Sequence, residues 1–237
     1  MSAHTPERVP DWFADPHETD WIDGLRPEAK HAVIAAMRQR HYDDGQYIYR
    51  AGDRDSWSFR VVAGTVHIRE LDSRGKELLL VAYGPRNCFG IMPAIDGGAY
   101  PQDASAYGPV TLDCLHERSL AQLRETWPEI DRALAVWAVR RLREAMRMLR
   151  DRTFLDLRRQ LAGQIDFLLE YSDAEATPDH PYRLRLTQEM LAASVGATRQ
   201  AISNVLRAWA SAGIVRYHYG DFVVLDRARL RREAQLS

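Results

Sequence analysis

The sequence predicts an α+β protein in three parts: an all-β N-terminal half, one long helix, and a C-terminal unit of two short helices followed by a hairpin. Three observations carry this. Between His41 and Leu115, short β-rich runs (YIYR, WSFRVVAG, TVHIREL, LLLVAYG, VTLDCL) alternate with DDG, AGD, AGT, SRG, YGPRN and DGG. Strands of this kind with a turn signal about every ten residues predict a small sandwich or barrel. From Pro128 to about Arg150 apolar residues recur close to heptad spacing. From Leu186 to Ala210 two apolar faces at helical spacing flank Gly196.

Taken in order, residues 1–24 are rich in Pro and Asp, with Trp12, Phe13 and Trp21 interspersed, and read as an irregular arm whose aromatics dock on the body. A short helix is expected from about Pro27 to Arg38, with Ala29, Val33, Ile34 and Met37 on one face. The β-rich domain is expected over 25–127, with Gly52, Gly64, Gly75 and Gly84 at its corners. Helix returns near His116 and stops near Trp127. Pro128 then opens the long helix, over 128–151, whose stripe is Ile130, Leu134, Trp137/Ala138, Arg141/Leu142, Ala145 and Met148/Leu149. Six arginines keep its other faces wet, so the seam is a candidate homodimer interface between Pro128 and Arg150. A second helix, Thr153 to Tyr171, leads through the polar SDAEATPDHP into the last unit of a C-terminal domain over 152–237.

That last unit carries the most specific pattern. Thr187 is placed to cap a first helix, with Glu189 in its opening turn and Leu191, Ala192 and Val195 on its apolar face. Gly196 turns the chain, and Thr198 caps a second helix that buries Ile202, Val205, Leu206 and Trp209. The opposite face bears Arg199, Gln200, Ser203 and Asn204, side chains of the kind that read base edges in a major groove. Two short strands, Ile214 to Tyr219 and Phe222 to Leu225, follow around Gly220-Asp221 and complete a winged helix-turn-helix. His218 and Tyr219 at the wing tip are candidate phosphate contacts.

Charge agrees. The chain is 237 residues long with net charge −1, but residues 183–237 hold nine Arg and four acidic residues, a net +5 against −6 for the remainder. A basic C-terminal module on an acidic body is the asymmetry expected of a phosphate-facing part. Arg183, Arg185, Arg207 and Arg216 are the expected phosphate contacts. No apolar run is long enough to span a bilayer, and MSAHTPERVPDWFADP has no secretory pattern, so no membrane partner is expected. Two distant cysteines, Cys88 and Cys114, predict neither a disulfide scaffold nor a metal site, and fit a reducing cytoplasm.

Together these segments resemble the cyclic-AMP receptor protein/FNR family of bacterial transcription regulators. GQYIYRAGDRDSWSFRVVAGTVHI resembles the family's first β-roll strands, and GKELLLVAYGPRNCFG the approach to its effector pocket. WPEIDRALAVWAVRRLREAM resembles its dimerisation helix and FLDLRRQLAGQIDFLL the helix after it. The resemblance implies an N-terminal double-stranded β-helix (jelly-roll), a homodimer on a two-fold-related site in double-stranded DNA, and RNA polymerase as a protein partner.

The departures are informative. Nucleotide-binding members carry a Glu for the ribose and an Arg-Ser pair for the cyclic phosphate after the F-G step. In FGIMPAIDGGAYPQDASAYG the Glu position holds Ile91 or Met92, the Arg position holds Ala104 beside Asp103, and Ser105 alone remains. Ala145 and Met146 stand where those members use hydroxyls against adenine. Cyclic AMP in the usual mode is therefore not expected. The effector region (Phe89, Met92, Ala104, Ser105, Arg141, Ala145, Met146) is either a more apolar pocket for an unidentified effector or a core filled by Met92, Ile95 and Met146. No N-terminal cysteine cluster exists for an iron–sulfur centre. His67, Cys88, Cys114 and His116 are by type the candidate haem ligands, but no cofactor is expected. Nor is redox sensing through either cysteine. On the second helix Arg199 matches the family, whereas Gln200 replaces a Glu and Asn204 an Arg, which shifts the expected half-site toward A·T. Two other readings stand beside a regulator. One is a β-roll sensor of an apolar ligand or haem whose winged helix contacts a protein. The other is a cupin-like metalloenzyme, for which His41, His67 and His116 are too scattered to supply a ligand set.

Overall fold

The computed structural model describes residues 20–71, 77–172, 182–218 and 221–234, excluding the side chains of Arg185 and Asp221. Trp12, Phe13, Gly75, Tyr219 and Gly220 lie outside the described residues, as does most of the segment after Ser172.

Helix α1 (Pro27–Ala36) has Pro at its start and buries Ala29 and Val33, ending two residues before the expected Arg38. The β-rich half is β1 (Arg38–Tyr42), β2 (Tyr47–Tyr49), β3 (Trp57–Leu71), β4 (Glu77–Tyr83), β5 (Cys88–Phe89) and β6 (Asp103–His116), with the short helix α2 (Met92–Asp96) before β6. The sheet runs β1-β6-β3-β4, with β2 also on β6 and β5 also on β3, all antiparallel. Two strands are far longer than the expected short runs. WSFRVVAG and TVHIREL are a single 15-residue strand, and β6 has 14 residues, starting at Asp103 rather than Val110.

Gly64 explains the misreading. It is not a corner but the middle of β3, at φ +86, next to Ala63, on both sides of which the register to β6 shifts. A Cβ there would sit 2.3 Å from the Pro109 carbonyl oxygen, so only Gly permits this bulge.

Helix α3 (Glu117–Thr126) is capped by His116, whose Nδ1 accepts from the Arg118 backbone N–H at 3.2 Å. Helix α4 (Glu129–Phe154) follows, with Pro128 just before its first residue, and runs four residues past the expected Arg150. Leu155 and Asp156 separate it from α5 (Leu157–Tyr171), which Asp156 caps through the Arg159 N–H at 3.0 Å. The C-terminal unit is β7 (Tyr182–Arg185), α6 (Gln188–Val195), α7 (Arg199–Ser211), β8 (Val215–His218), β9 (Asp221–Val224) and α8 (Arg227–Ala234). Its sheet has three strands, β7-β9-β8, one more than the expected hairpin. Helix α8 is held on α5 by buried Leu230, by Arg227 and Arg231 on Asp166, and by Glu233 on Arg158.

Three apolar cores result. One lies under α6 and α7, centred on fully buried Trp209, Ile202, Ile165 and Phe222. A second fills the β-roll with Phe59, Phe89, Tyr100, Val110 and Leu112. The third joins the N-terminal turn to α3 and α4 through Trp21, Ile22, Leu120, Ile130 and Leu134. Asp20 anchors that turn. It pairs with Arg60 at 2.5 Å, accepts the Ile22 N–H at 2.9 Å and lies 3.2 Å from the Cys88 thiol.

The first two cores share members across the halves. Leu79 and Ala82 of β4 belong to the winged-helix core, and Tyr171 of α5 belongs to the β-roll core. The Tyr171 carbonyl accepts from the Gly84 N–H at 2.6 Å and the Asn87 amide at 3.1 Å.

Candidate nucleic-acid interface and effector region

The turn between α6 and α7 forms as its residues dictate. The Thr187 hydroxyl accepts from the Met190 N–H at 3.0 Å, and Thr198 from the Ala201 N–H at 3.2 Å. Each such cap contributes about 1 kcal/mol. Gly196 takes φ +68 at the α6 C-terminus and accommodates the sharp reversal. Buried Leu191 and Ala192 of α6, with Val195 partly buried, meet Ile202, Leu206 and Trp209 of α7. That contact orients α7 so that Arg199, Gln200, Asn204 and Arg207 all stand exposed, with Ser203 half-buried beside them.

This face is internally bonded. The Arg199 guanidinium pairs with Glu189 of α6 at 3.0 Å, both side chains more than 60% exposed (71% and 63%). An ion pair that open contributes little to stability and exchanges readily for another partner. Gln200 donates to the Asn204 side-chain oxygen at 3.2 Å, and Arg207 donates to the same oxygen. Glu189 was visible in the sequence only as a helix-dipole residue, and the Gln200–Asn204–Arg207 chain not at all. The i, i+4, i+7 spacing of three polar side chains was the available signal. Arg183, Arg216 and His218 are exposed on the same unit.

The expected effector residues converge only in part: Phe89 and Ala104 share the β-roll core, whereas Met92, Ala145 and Met146 stand exposed. Phe89 is buried in an aromatic stack, 5.1 Å from Phe59 and 5.8 Å from Tyr83 between ring centres. Tyr49 stacks on Tyr100 at 3.8 Å, and the Tyr100 hydroxyl is satisfied by the Trp57 N–H at 2.8 Å and carbonyl at 2.6 Å. Ala104 (0% exposed) and Ser105 are buried, Ala104 within this stack's core. Met92 (51%), Ile95 (47%) and Met146 (62%) are exposed, as is Ala145. The expectation that Met92, Ile95 and Met146 fill the β-roll is therefore corrected: aromatic side chains from β2, β3, β5 and the approach to β6 fill it. Of Ile91 and Met92, the two residues at the family's Glu position, Ile91 is buried in the third core and Met92 is exposed. Arg141 faces inward between Trp137, Tyr83 and Tyr171 and pairs with Glu144 at 3.1 Å, while Glu144 also accepts from the Tyr171 hydroxyl.

The α4 stripe resolves into two. Ile130 and Leu134 are buried, and Trp137, Arg141 and Met148 are part-buried, so these face their own chain. Val136, Val139, Leu142, Met146 and Leu149, with Ala135, Ala138 and Ala145, form an exposed apolar stripe beside it. The single stripe read from the sequence mixed these two faces.

Other candidate ligands are already engaged. His41 Nδ1 bonds the Thr111 hydroxyl at 3.0 Å, and His116 caps α3. Burial holds the Cys88 thiol well above its ordinary pKa and pushes Cys114 up to about 12, so both stay protonated. Among the described residues no group of three His, Cys, Asp or Glu could hold a metal ion, and no helix is long and apolar enough to cross a membrane.

His67 is buried and stacked on Tyr107 at 4.3 Å. Burial, helped by the Arg69 charge, pulls its pKa from 6.5 to about 4. Between those values the unfolded chain takes up a proton that the folded one refuses. Stability is therefore full above about pH 6.5 and drains as pH falls toward 4, by on the order of 3 kcal/mol. Urea midpoints measured across that range should fall for the native chain, and the His67→Phe variant should lack this component of the slope.

A winged helix with an exposed polar helix face, joined by a long helix to a β-roll, defines the class: a DNA-binding transcription regulator. Residues 39–126 match the cyclic nucleotide-binding domain and residues 165–233 the Crp-like helix-turn-helix domain. The cyclic AMP receptor protein of Thermus thermophilus is 29% identical over 211 residues, 89% of this chain and 94% of that protein. The CRP-like cAMP-activated global transcriptional regulator of Mycobacterium tuberculosis is 26% identical over 214 residues, 90% of this chain and 96% of that protein. Among solved structures, a CRP/FNR-family regulator of Thermus thermophilus matches with TM-score 0.68 at 25% identity, covering 83% of this chain and 98% of its own. FixK2 of Bradyrhizobium japonicum shares the fold with TM-score 0.69 at 20% identity, covering 85% of this chain and 98% of its own. The chain thus joins the two domains of the cyclic-AMP receptor protein/FNR regulators and is similar to them along most of its length. These relatives are regulators of transcription, not enzymes.

Proposed function

We propose that the protein binds double-stranded DNA as a homodimer on a palindromic operator, and that cyclic AMP does not control it in the usual mode. The observation that carries this is the α7 face: Arg199, Gln200, Asn204 and Arg207 exposed over a fully buried Ile202 and Trp209. The exposed apolar stripe of α4 supplies the dimer contact, which sets two α7 N-termini into successive major grooves about 34 Å apart. Arg183, Arg216 and His218 contact phosphates, and RNA polymerase is the downstream partner. The setting is the bacterial cytoplasm. Selection from random DNA should return a palindrome with A·T at the Gln200 steps, and affinity should fall steeply with salt. Salt-insensitive binding with no selected motif would favour a winged helix that meets a protein instead.

The altered effector region supports independence from cyclic AMP. A cyclic phosphate needs a cation, and Ala104 offers none and has no exposed surface on which to add one. Titration calorimetry with cyclic AMP should show no saturable heat, and micromolar binding would overturn the reading. Ala104→Arg should cost about 2–4 kcal/mol of stability, read by urea unfolding, because it forces a charge and extra volume into an aromatic core. No cofactor is assigned, since His67 and His116 are engaged internally and both thiols are buried.

A further inference from the structure

We infer that Asn204 does not read a base but holds Gln200 in the one orientation that reads adenine, with Arg207 fixing Asn204 in turn. The inference rests on the DNA-binding reading above and concerns the division of labour on its recognition face.

An amide pairs with adenine through two atoms at once: its oxygen accepts from N6 and its nitrogen donates to N7. Gln200 and Asn204 both have the chemistry, and from the sequence both are adenine readers. Their bonding separates them. The Asn204 oxygen already accepts from Gln200 Nε2 at 3.2 Å and from an Arg207 nitrogen. A carbonyl oxygen has two lone pairs, so both are taken and no acceptor remains for adenine N6. Gln200 gives up only one of its two amide hydrogens. Its oxygen and second hydrogen stay free, the complete set for adenine.

The same contact fixes which way the Gln200 amide faces. A freely rotating Gln can turn its nitrogen toward guanine, whose O6 and N7 both accept. With Nε2 tied to Asn204, the oxygen would face O6 of guanine, acceptor against acceptor. Arg207 completes the lock, because with two donors on one side the Asn204 amide cannot flip without breaking both bonds. Gln200 lies in the first turn of α7, the part of a recognition helix that meets base edges, whereas Asn204 and Arg207 lie one and two turns further along. Asn204 is thus a positioning residue, and Gln200 the reader.

The test is the adenine-to-guanine affinity ratio at each operator position, measured by fluorescence anisotropy on the site that the unaltered full-length protein selects from random DNA. That protein should prefer adenine about tenfold at one step per half-site. Gln200→Ala should abolish the preference there. Asn204→Leu, which keeps the shape and removes the acceptor, should reduce it to less than about threefold at that same step. Asn204→Asp supplies an acceptor to both donors and should keep the ratio while lowering affinity for every sequence, through its added negative charge. The proposal is overturned if Asn204→Leu leaves the Gln200 step intact, or if it removes a preference at a second, separate base pair, which would make Asn204 a reader. If the unaltered protein selects no motif, the DNA-binding reading itself fails, and this inference with it. All positions involved are exposed, so unchanged thermal unfolding of each variant will show that the fold is not the cause.

Discussion

Arg199→Ala is expected to lose specific operator binding by a factor of about a hundred or more in a gel-shift titration, with the dimer and its melting temperature unchanged. A bidentate Arg–guanine contact discriminates by about 1–3 kcal/mol, and a symmetric dimer makes it twice. The substitution also leaves Glu189, the partner of Arg199 at 3.0 Å, as an unpaired negative charge facing the DNA. Stability should not move, because the pair is solvent-exposed and the α6–α7 contact rests on Leu191, Ile202 and Trp209. Glu189→Gln provides the control. It frees Arg199 without removing it, so operator affinity should hold or rise. Unchanged operator affinity in Arg199→Ala would remove this residue from the interface.

Leu142→Glu combined with Met146→Glu is expected to yield a folded monomer by sedimentation, with operator affinity lowered about a thousandfold. Both side chains are at least 60% exposed, so carboxylates there disturb no core within the chain. In a paired helix they would face their own copies across the seam, where like charges repel and apolar area is lost. Loss of the second half-site removes the linkage gain of about 10²–10⁴ that two tethered sites provide. A variant that remained dimeric would move the interface off α4.

The recognition unit was legible in the sequence because its signals are local. Thr187, Gly196 and Thr198 act on backbone groups within three or four residues, and Ile202, Leu206 and Trp209 declare their face by period. The β-roll was less legible. Gly64 carries the signature of a turn, yet Pro109 and Val110, more than forty residues away, make it a bulge inside one long strand. The α4 stripe shows a related limit. Two stripes one residue apart, 134/137/141 and 135/138/142, overlap in sequence, and only the packed neighbours Leu120 and Trp21 distinguish inward from outward. The filling of the β-roll escaped for the same reason. Tyr49, Phe59, Phe89 and Tyr100 come from four separate segments, and nothing in any one of them announces the stack. In α8, Leu230 is the only large apolar side chain in a basic helix, a weak signal for a helix that nonetheless docks through it.

Regulators with a sensor at one end and a reader at the other invite chimeras, in which one sensor is exchanged for another at the linking helix. This chain resists that treatment. A graft joined at Leu155 would take Leu79 and Ala82 of β4 away from α5 and α6, and would take Tyr171 away from Tyr83. Each piece would carry an apolar wound where the other had been. The two ends should accordingly melt in one calorimetric transition, and any productive exchange must transplant β4 together with the reader it supports.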